Sequence, residues 1–76
     1  MSLKRELINR GHSHRFIVTS DVNGWEVREE EDSRLIKRVH REDWHRVERD
    51  TKLFEMTAVA LKGNGWIECS HSVAME

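Results

Sequence analysis

Apolar and polar residues alternate from His14 onward. Phe16, Val18 and Ser20 fall on one side of an extended chain and Ile17 and Thr19 on the other, the period of two that marks a half-buried strand. Asn23-Gly24 follows, a residue pair favoured in two-residue hairpin turns. Centring the turn there pairs Val22 with Trp25, Ser20 with Val27 and Val18 with Glu29, and it collects Phe16, Val18, Val22, Trp25 and Val27 on one face. The charged run Glu29-Glu30-Glu31-Asp32-Ser33 reads as the next turn, and residues 34–40 as a third strand. A three-residue turn puts Leu35 and Val39 on the core face, with Trp25 opposite Val39 and Glu26 opposite Arg38. A two-residue turn buries Ile36 instead. Burial of two apolar residues rather than one favours the first.

The period then changes. Asp43 is the expected N-cap, because a short acidic side chain accepts hydrogen bonds from the free amides of a first helical turn. Trp44, Val47, Thr51, Phe54, Ala58 and Leu61 recur at spacings of three and four and draw one apolar stripe down the helix. Gly63-Asn64-Gly65 ends it, and Trp66-Ile67-Glu68-Cys69 is expected as a fourth strand or an extended arm, with a loose tail from Ser70. Before the first strand, Leu3 to Arg10 closed by Gly11 is read as a short helix of one or two turns, or as a frayed end. The fold class is therefore α+β: a three-stranded antiparallel sheet, with room for a fourth C-terminal strand and a short N-terminal helix, packed on one long helix. One domain spans residues 1–76, with its core over 14–68.

Leu53, Met56 and Val59 lie off the stripe, so the second half of the helix is apolar nearly all round. Either the Trp66-Ile67 segment folds over it or a second chain does.

Composition sharpens this picture. Hydrophobic residues make up 37% and charged residues 36% of the 76, enough for one thin core built on three Trp and two Phe. Cys69 is the only cysteine, so no internal disulfide can form and a reducing, cytoplasmic home is expected. No apolar run approaches the ~20 residues of a membrane span, and the first residues do not read as a secretory signal. By elimination, self-association is the expected supplement to a small core. The net charge of −1 removes any global basic field of the kind that gathers nucleic acid.

Candidate chemistry is sparse. His12-Ser13-His14 and Cys69-Ser70-His71 supply four ligand-type side chains, but not at the spacing of a structural zinc site, and they read as solvated polar ends. Cys69 beside His71 or His45 lacks a visible oxyanion hole or phosphate loop, so neither catalysis nor a cofactor is expected. The sheet face away from the helix would carry Arg15, Ile17, Thr19, Arg28, Arg38 and His40, joined by Arg34 and opposed by Glu26 and Glu30. Pairing of Glu26 with Arg38 and of Glu30 with Arg34 would neutralise it. The leading expectation is a non-enzymatic protein-interaction module, a homodimer meeting through Leu53, Met56, Val59, Trp66 and Ile67. The alternative is a nucleic-acid-binding domain using Arg15, Arg28, Arg34, Arg38 and His40.

The stretch from His14-Arg15-Phe16-Ile17-Val18 through Asn23-Gly24-Trp25-Glu26-Val27-Arg28, Arg34-Leu35-Ile36-Lys37-Arg38 and Asp43-Trp44 resembles short uncharacterised bacterial proteins made of a three-stranded sheet and one helix. The resemblance covers residues 14–62 and implies a fold but no site. The same order is similar to the sheet-reading DNA-binding domains of plant ethylene-response factors and phage integrases, whose sheets are rich in Arg, Lys and Trp where this chain has Glu26, Glu29, Glu30 and Glu31. With an N-terminal helix it also resembles double-stranded-RNA-binding domains, but Glu42-Asp43-Trp44-His45 stands where those carry a lysine cluster.

Overall fold

Strong local signals fix most of the elements. In the computed structural model, which describes residues 2–69 and 71–72, the chain runs β1 (Ser2–Asn9), β2 (His12–Asp21), β3 (Gly24–Glu31), β4 (Arg34–Arg41), α1 (Trp44–Gly63), β5 (Ile67–Glu68) and β6 (His71–Ser72). The first four strands form an antiparallel meander in the order β4-β3-β2-β1, and β5 and β6 both pair with the outer edge of β1. The expected α+β class, with its sheet and long helix, is what the chain adopts. The fourth C-terminal strand exists as the short β5. The tail expected to be loose from Ser70 lies largely outside the described residues.

The N-terminal segment is a strand rather than a helix. Leu3 and Leu7 are four apart, which fits a helical stripe, yet they also alternate with Lys4, Glu6 and Ile8 along β1. The position between them on the core side is Arg5, whose charge hides the period of two. Leu7 is fully buried, and Arg10 and Gly11 both take positive φ (50° and 83°) in the turn to β2, the geometry of a type I′ hairpin.

The β2–β3 hairpin turns one residue earlier than expected, on Val22-Asn23, so that Val18 faces Val27 and Ser20 faces Trp25. The shift of two in register leaves every side chain on its expected face except Val22, which becomes a hairpin tip 96% exposed. Asp21 Oδ1 accepts the Asn23 N–H at 2.8 Å and holds this turn. Gly24 serves another purpose: a Cβ there would sit 2.3 Å from the carbonyl oxygen of Arg41, so the end of β4 demands a glycine opposite.

The turn between β3 and β4 is the two-residue alternative rather than the favoured three-residue one, and Trp25 pairs with Arg41 and Glu26 with His40, in place of Val39 and Arg38. The turn has two residues, Asp32 and Ser33, both at positive φ (52° and 68°), and a bulge follows in which Glu30 pairs with Leu35 but Glu29 with Lys37, leaving Ile36 as the extra residue. Val39 consequently packs against the core as expected, whereas Leu35 sits opposite Glu30 on the other face, half exposed.

Asp43 caps α1 by accepting the His45 N–H at 3.0 Å. At the other end the Trp66 N–H reaches Leu61 O and the Gly65 N–H reaches Lys62 O, with Gly65 at φ 95°, the paired bonds of a Schellman motif. Val47, Phe54 and Ala58 of the predicted stripe are buried, together with Asp50, which that stripe left out. They meet Leu7, Phe16, Val18 and Val27 in the core, and Phe54 stacks on Phe16 at 4.8 Å.

Candidate functional site

Helix and sheet do not run parallel. α1 begins beside the end of β4, where Arg41 donates two hydrogen bonds to the buried Asp50 at 2.9 and 3.1 Å. It ends beside β5, where Lys62 meets Glu68 at 2.6 Å, and Glu68 lies opposite Leu7 near the far end of β1. The helix therefore crosses the sheet diagonally. The register sets out the face beneath it in cross-strand rows: Ser20, Trp25 and Arg41; Leu3, Val18, Val27 and Val39; Arg5, Phe16, Glu29 and Lys37; Leu7, His14 and Glu31. The most deeply buried residues, Val27, Val18, Phe16 and Leu7, follow the diagonal, and two corners remain outside it.

One corner is polar. His14, nearly buried at 9% exposure, puts Nε2 2.7 Å from Glu29 Oε2 and rests its ring 5.7 Å from that of Phe54. Glu31 lies directly opposite His14, and Lys37 opposite Glu29. Just beyond, Asp32 accepts the Ser13 N–H at 2.9 Å and meets His12 Nδ1 at 3.1 Å; the Ser13 amide first, and His12 after it, hold the Asp32 carboxyl below its usual range. Among the described side chains the histidines thus form no cluster of their own. His14 in particular is a packed, paired side chain where a solvated one was expected, because its strand position faces Phe54.

The other corner is apolar and open. Leu3, Val18, Trp25, Trp44 and Val47 line a cleft of about 410 Å³, with Ser2, Glu48, Thr51 and Lys52 also bordering it. The Trp25 and Trp44 rings stand 5.0 Å apart, tilted by 58°. The Thr51 hydroxyl is engaged by the carbonyl of Val47 at 2.9 Å. Glu48 faces His45 at 3.6 Å, and among the described residues Lys52 makes no ion pair.

The far face of the sheet carries Arg15, Ile17, Thr19, Arg28, Arg38 and His40, as expected, but its cations face carboxylates. Arg15 lies between Glu6 at 3.2 Å and Glu30 at 3.5 Å, Arg38 bonds Glu26 at 2.6 Å, and His40 lies 3.3 Å from Asp21. Arg28 stands 3.9 Å from Glu26 with its buried Nε unbonded. The Asn23 amide, ahead of His40, keeps the Asp21 carboxyl ionised below its usual range. The Glu26–Arg38 pair forms as expected, across a diagonal. The Glu30–Arg34 pair does not, because the register sets Arg34 opposite Glu31 on the helix side, away from the other arginines.

The residues read as an oligomer interface fall in three places. Leu53, Met56 and Val59 lie on the outward side of α1, 53, 69 and 60% exposed. Trp66 packs against the core, and Ile67 pairs with Ile8 at the sheet edge, two-thirds exposed on the face away from the helix. The C-terminal segment thus runs along β1 and leaves the outer helix uncovered among the described residues. It is held by Arg5, which donates to both Glu68 oxygens at 2.7 and 2.9 Å, also pairs with Glu55, and sits over the Phe54 ring at 5.5 Å. Glu68 above all holds the Arg5 guanidinium still further above its ordinary basicity.

Sequence reasoning passed over Arg5, Asp50 and the cleft. Asp50 stood three residues after Val47 and four before Phe54, and a carboxylate on a core stripe was itself a signal of a buried partner. Cys69 and His45 are not brought together: Cys69 bonds to Glu6 of β1, and His45 follows β4 on the opposite sheet edge. Among the described residues no three His, Cys, Asp or Glu side chains are placed to hold a metal ion, and no helix is long and apolar enough to cross a membrane.

These features define an α+β domain of a four-strand meander crossed by one diagonal helix, with an apolar cleft at one corner. No family model, curated protein or solved structure matches the chain.

Proposed function

We propose that this domain is a small, non-enzymatic interaction module that self-associates through the outward side of α1. The observation that carries the reading is the exposure of Leu53, Met56 and Val59 on a chain that is 36% charged. Met56 is two residues from the buried Phe54, about 200° around the helix, so it points directly away from the sheet. Leu53 and Val59 flank it one turn to either side. The thin core gives a reason for the association: burying this apolar stripe against a second copy adds stability that a chain of this size otherwise lacks. Ile67 and Ile8 form a separate apolar pair on the other face, outside this contact. An unpaired, exposed Cys69 suits a reducing cytoplasmic setting.

Light scattering behind size exclusion tests the reading on the full chain and on Met56→Glu. The wild type is expected at twice the monomer mass and little affected by salt, as an apolar contact requires, and the variant at the monomer mass with an unchanged circular dichroism spectrum. A wild-type monomer at tens of micromolar would overturn it.

A further inference from the structure

Three tryptophans are present and none is fully buried; two of them, Trp25 and Trp44, touch in a tilted pair and form one wall of the open corner. A small domain gains most from aromatic side chains when they close its core, so placing two of them around a cleft leaves apolar surface that only an occupant can desolvate. The cleft volume of about 410 Å³ lies within the range of small-molecule sites, roughly 300–1,000 Å³. Its walls, Leu3, Val18, Val47 and the two indoles, offer contacts to hydrocarbon and almost no hydrogen bonding. At its rim the polar groups differ in availability: Glu48 faces His45 and the Thr51 hydroxyl is engaged by the Val47 carbonyl, whereas Lys52 makes no ion pair among the described residues. The rim charge that no described side chain faces is therefore positive, while Glu48 is offset by His45 only when that ring is protonated.

We infer that this cleft binds a small amphipathic anion, an aliphatic carboxylate of medium chain length, with its chain against the wall made by Leu3, Val18, Val47 and the two touching indoles and its carboxylate at the Lys52 ammonium. Lys52 is a specificity residue here, since the apolar walls hold the chain whatever its head group. The inference rests on the cleft and not on self-association, although Lys52 lies one helical turn before Met56.

Tryptophan emission reports on the site directly. The full chain carrying Met56→Gln, to blunt the outer helix patch without a new carboxylate one turn from Lys52, and Trp66→Phe, to leave only the two cleft indoles, is titrated with decanoate and with decanol. Decanoate is expected to shift and saturate the emission. Lys52→Glu is expected to weaken decanoate by about three- to fivefold, the scale of an exposed ion pair, and to leave decanol unchanged. Three outcomes would overturn the inference: no emission change up to millimolar decanoate, an equal effect of Lys52→Glu on both probes, or emission that changes with protein concentration alone, which would mean that a second copy fills the cleft.

Discussion

The two corners that the diagonal helix leaves uncovered have the same geometric origin and opposite chemistry. At the β3–β4 end, His14 and Glu29 satisfy each other beside Phe54 and bring charged neighbours that tolerate water. At the β1 end, Leu3, Val18, Trp25 and Trp44 surround space. A polar corner can close upon itself because hydrogen bonds are local and saturable, whereas an apolar one gains only by losing contact with water. The first is complete within the described chain, and the second invites an occupant.

The largest effect is expected from removing the band that separates the corners. Phe54→Ala deletes the ring that touches Phe16, His14 and Arg5 and should cost about 3–5 kcal/mol, close to the whole stability of a domain this small. Urea denaturation followed by circular dichroism should find it largely unfolded without denaturant; a loss under 1 kcal/mol would mean that the diagonal packing is misassigned. Next comes the polar corner: Glu29→Ala leaves the nearly buried His14 without its partner and should cost about 1–3 kcal/mol in the same measurement. The apolar corner should respond in the other direction. Thr51→Leu places methyl groups into the cleft and exchanges a β-branched helix residue for a better one, raising stability by up to about 1 kcal/mol. Opposite signs at the two corners sharpen the comparison, and equal losses would break it.

Smaller effects lie in the β3–β4 turn beyond the polar corner. Ser33 has φ 68°, a conformation that costs a non-glycine residue roughly 1 kcal/mol, so Ser33→Gly should raise the urea midpoint slightly. The Asp32 carboxyl has a folded pKa below its ordinary 3.8, so its stabilising contribution is complete above that value and is lost as pH falls through the lower folded value. Asp32→Asn should therefore flatten the acid limb of the stability curve below about pH 4. On the far face, where Arg15, Arg38 and His40 already face carboxylates, mixed duplex DNA should show no salt-dependent binding by fluorescence anisotropy.

How much of this was readable in the chain depends on whether a residue's role is local. The cap at Asp43, the stop at Gly63-Asn64-Gly65 and the stripe through Val47, Phe54 and Ala58 depend on neighbours within a few residues, and they appear where the sequence places them. β1 reads as a helix in the sequence because Arg5 occupies a core-facing position, made tolerable by Glu68, 63 residues away, and by Glu55 on the helix. Gly24 reads as a turn residue in the sequence because its need arises from Arg41, a contact between strands that no local pattern carries. The bulge at Ile36 shifts β4 by one residue beyond its two-residue turn, into a register that neither expected turn contains. Of the proposed contact surface, Leu53, Met56 and Val59 were legible because a helix fixes their common side. The cleft was not, since it is made by the angle at which the helix crosses the sheet.

The most direct test of the contrast between the corners is a titration of the ¹⁵N-labelled chain with decanoate, followed by amide and indole N–H resonances. The account predicts shifts at the Trp25 and Trp44 indoles and at the Leu3, Val18 and Lys52 amides, while His14, Glu29 and Lys37 stay in place. Shifts confined to the outer helix around Met56 and Val59, or spread equally over both corners, would contradict it.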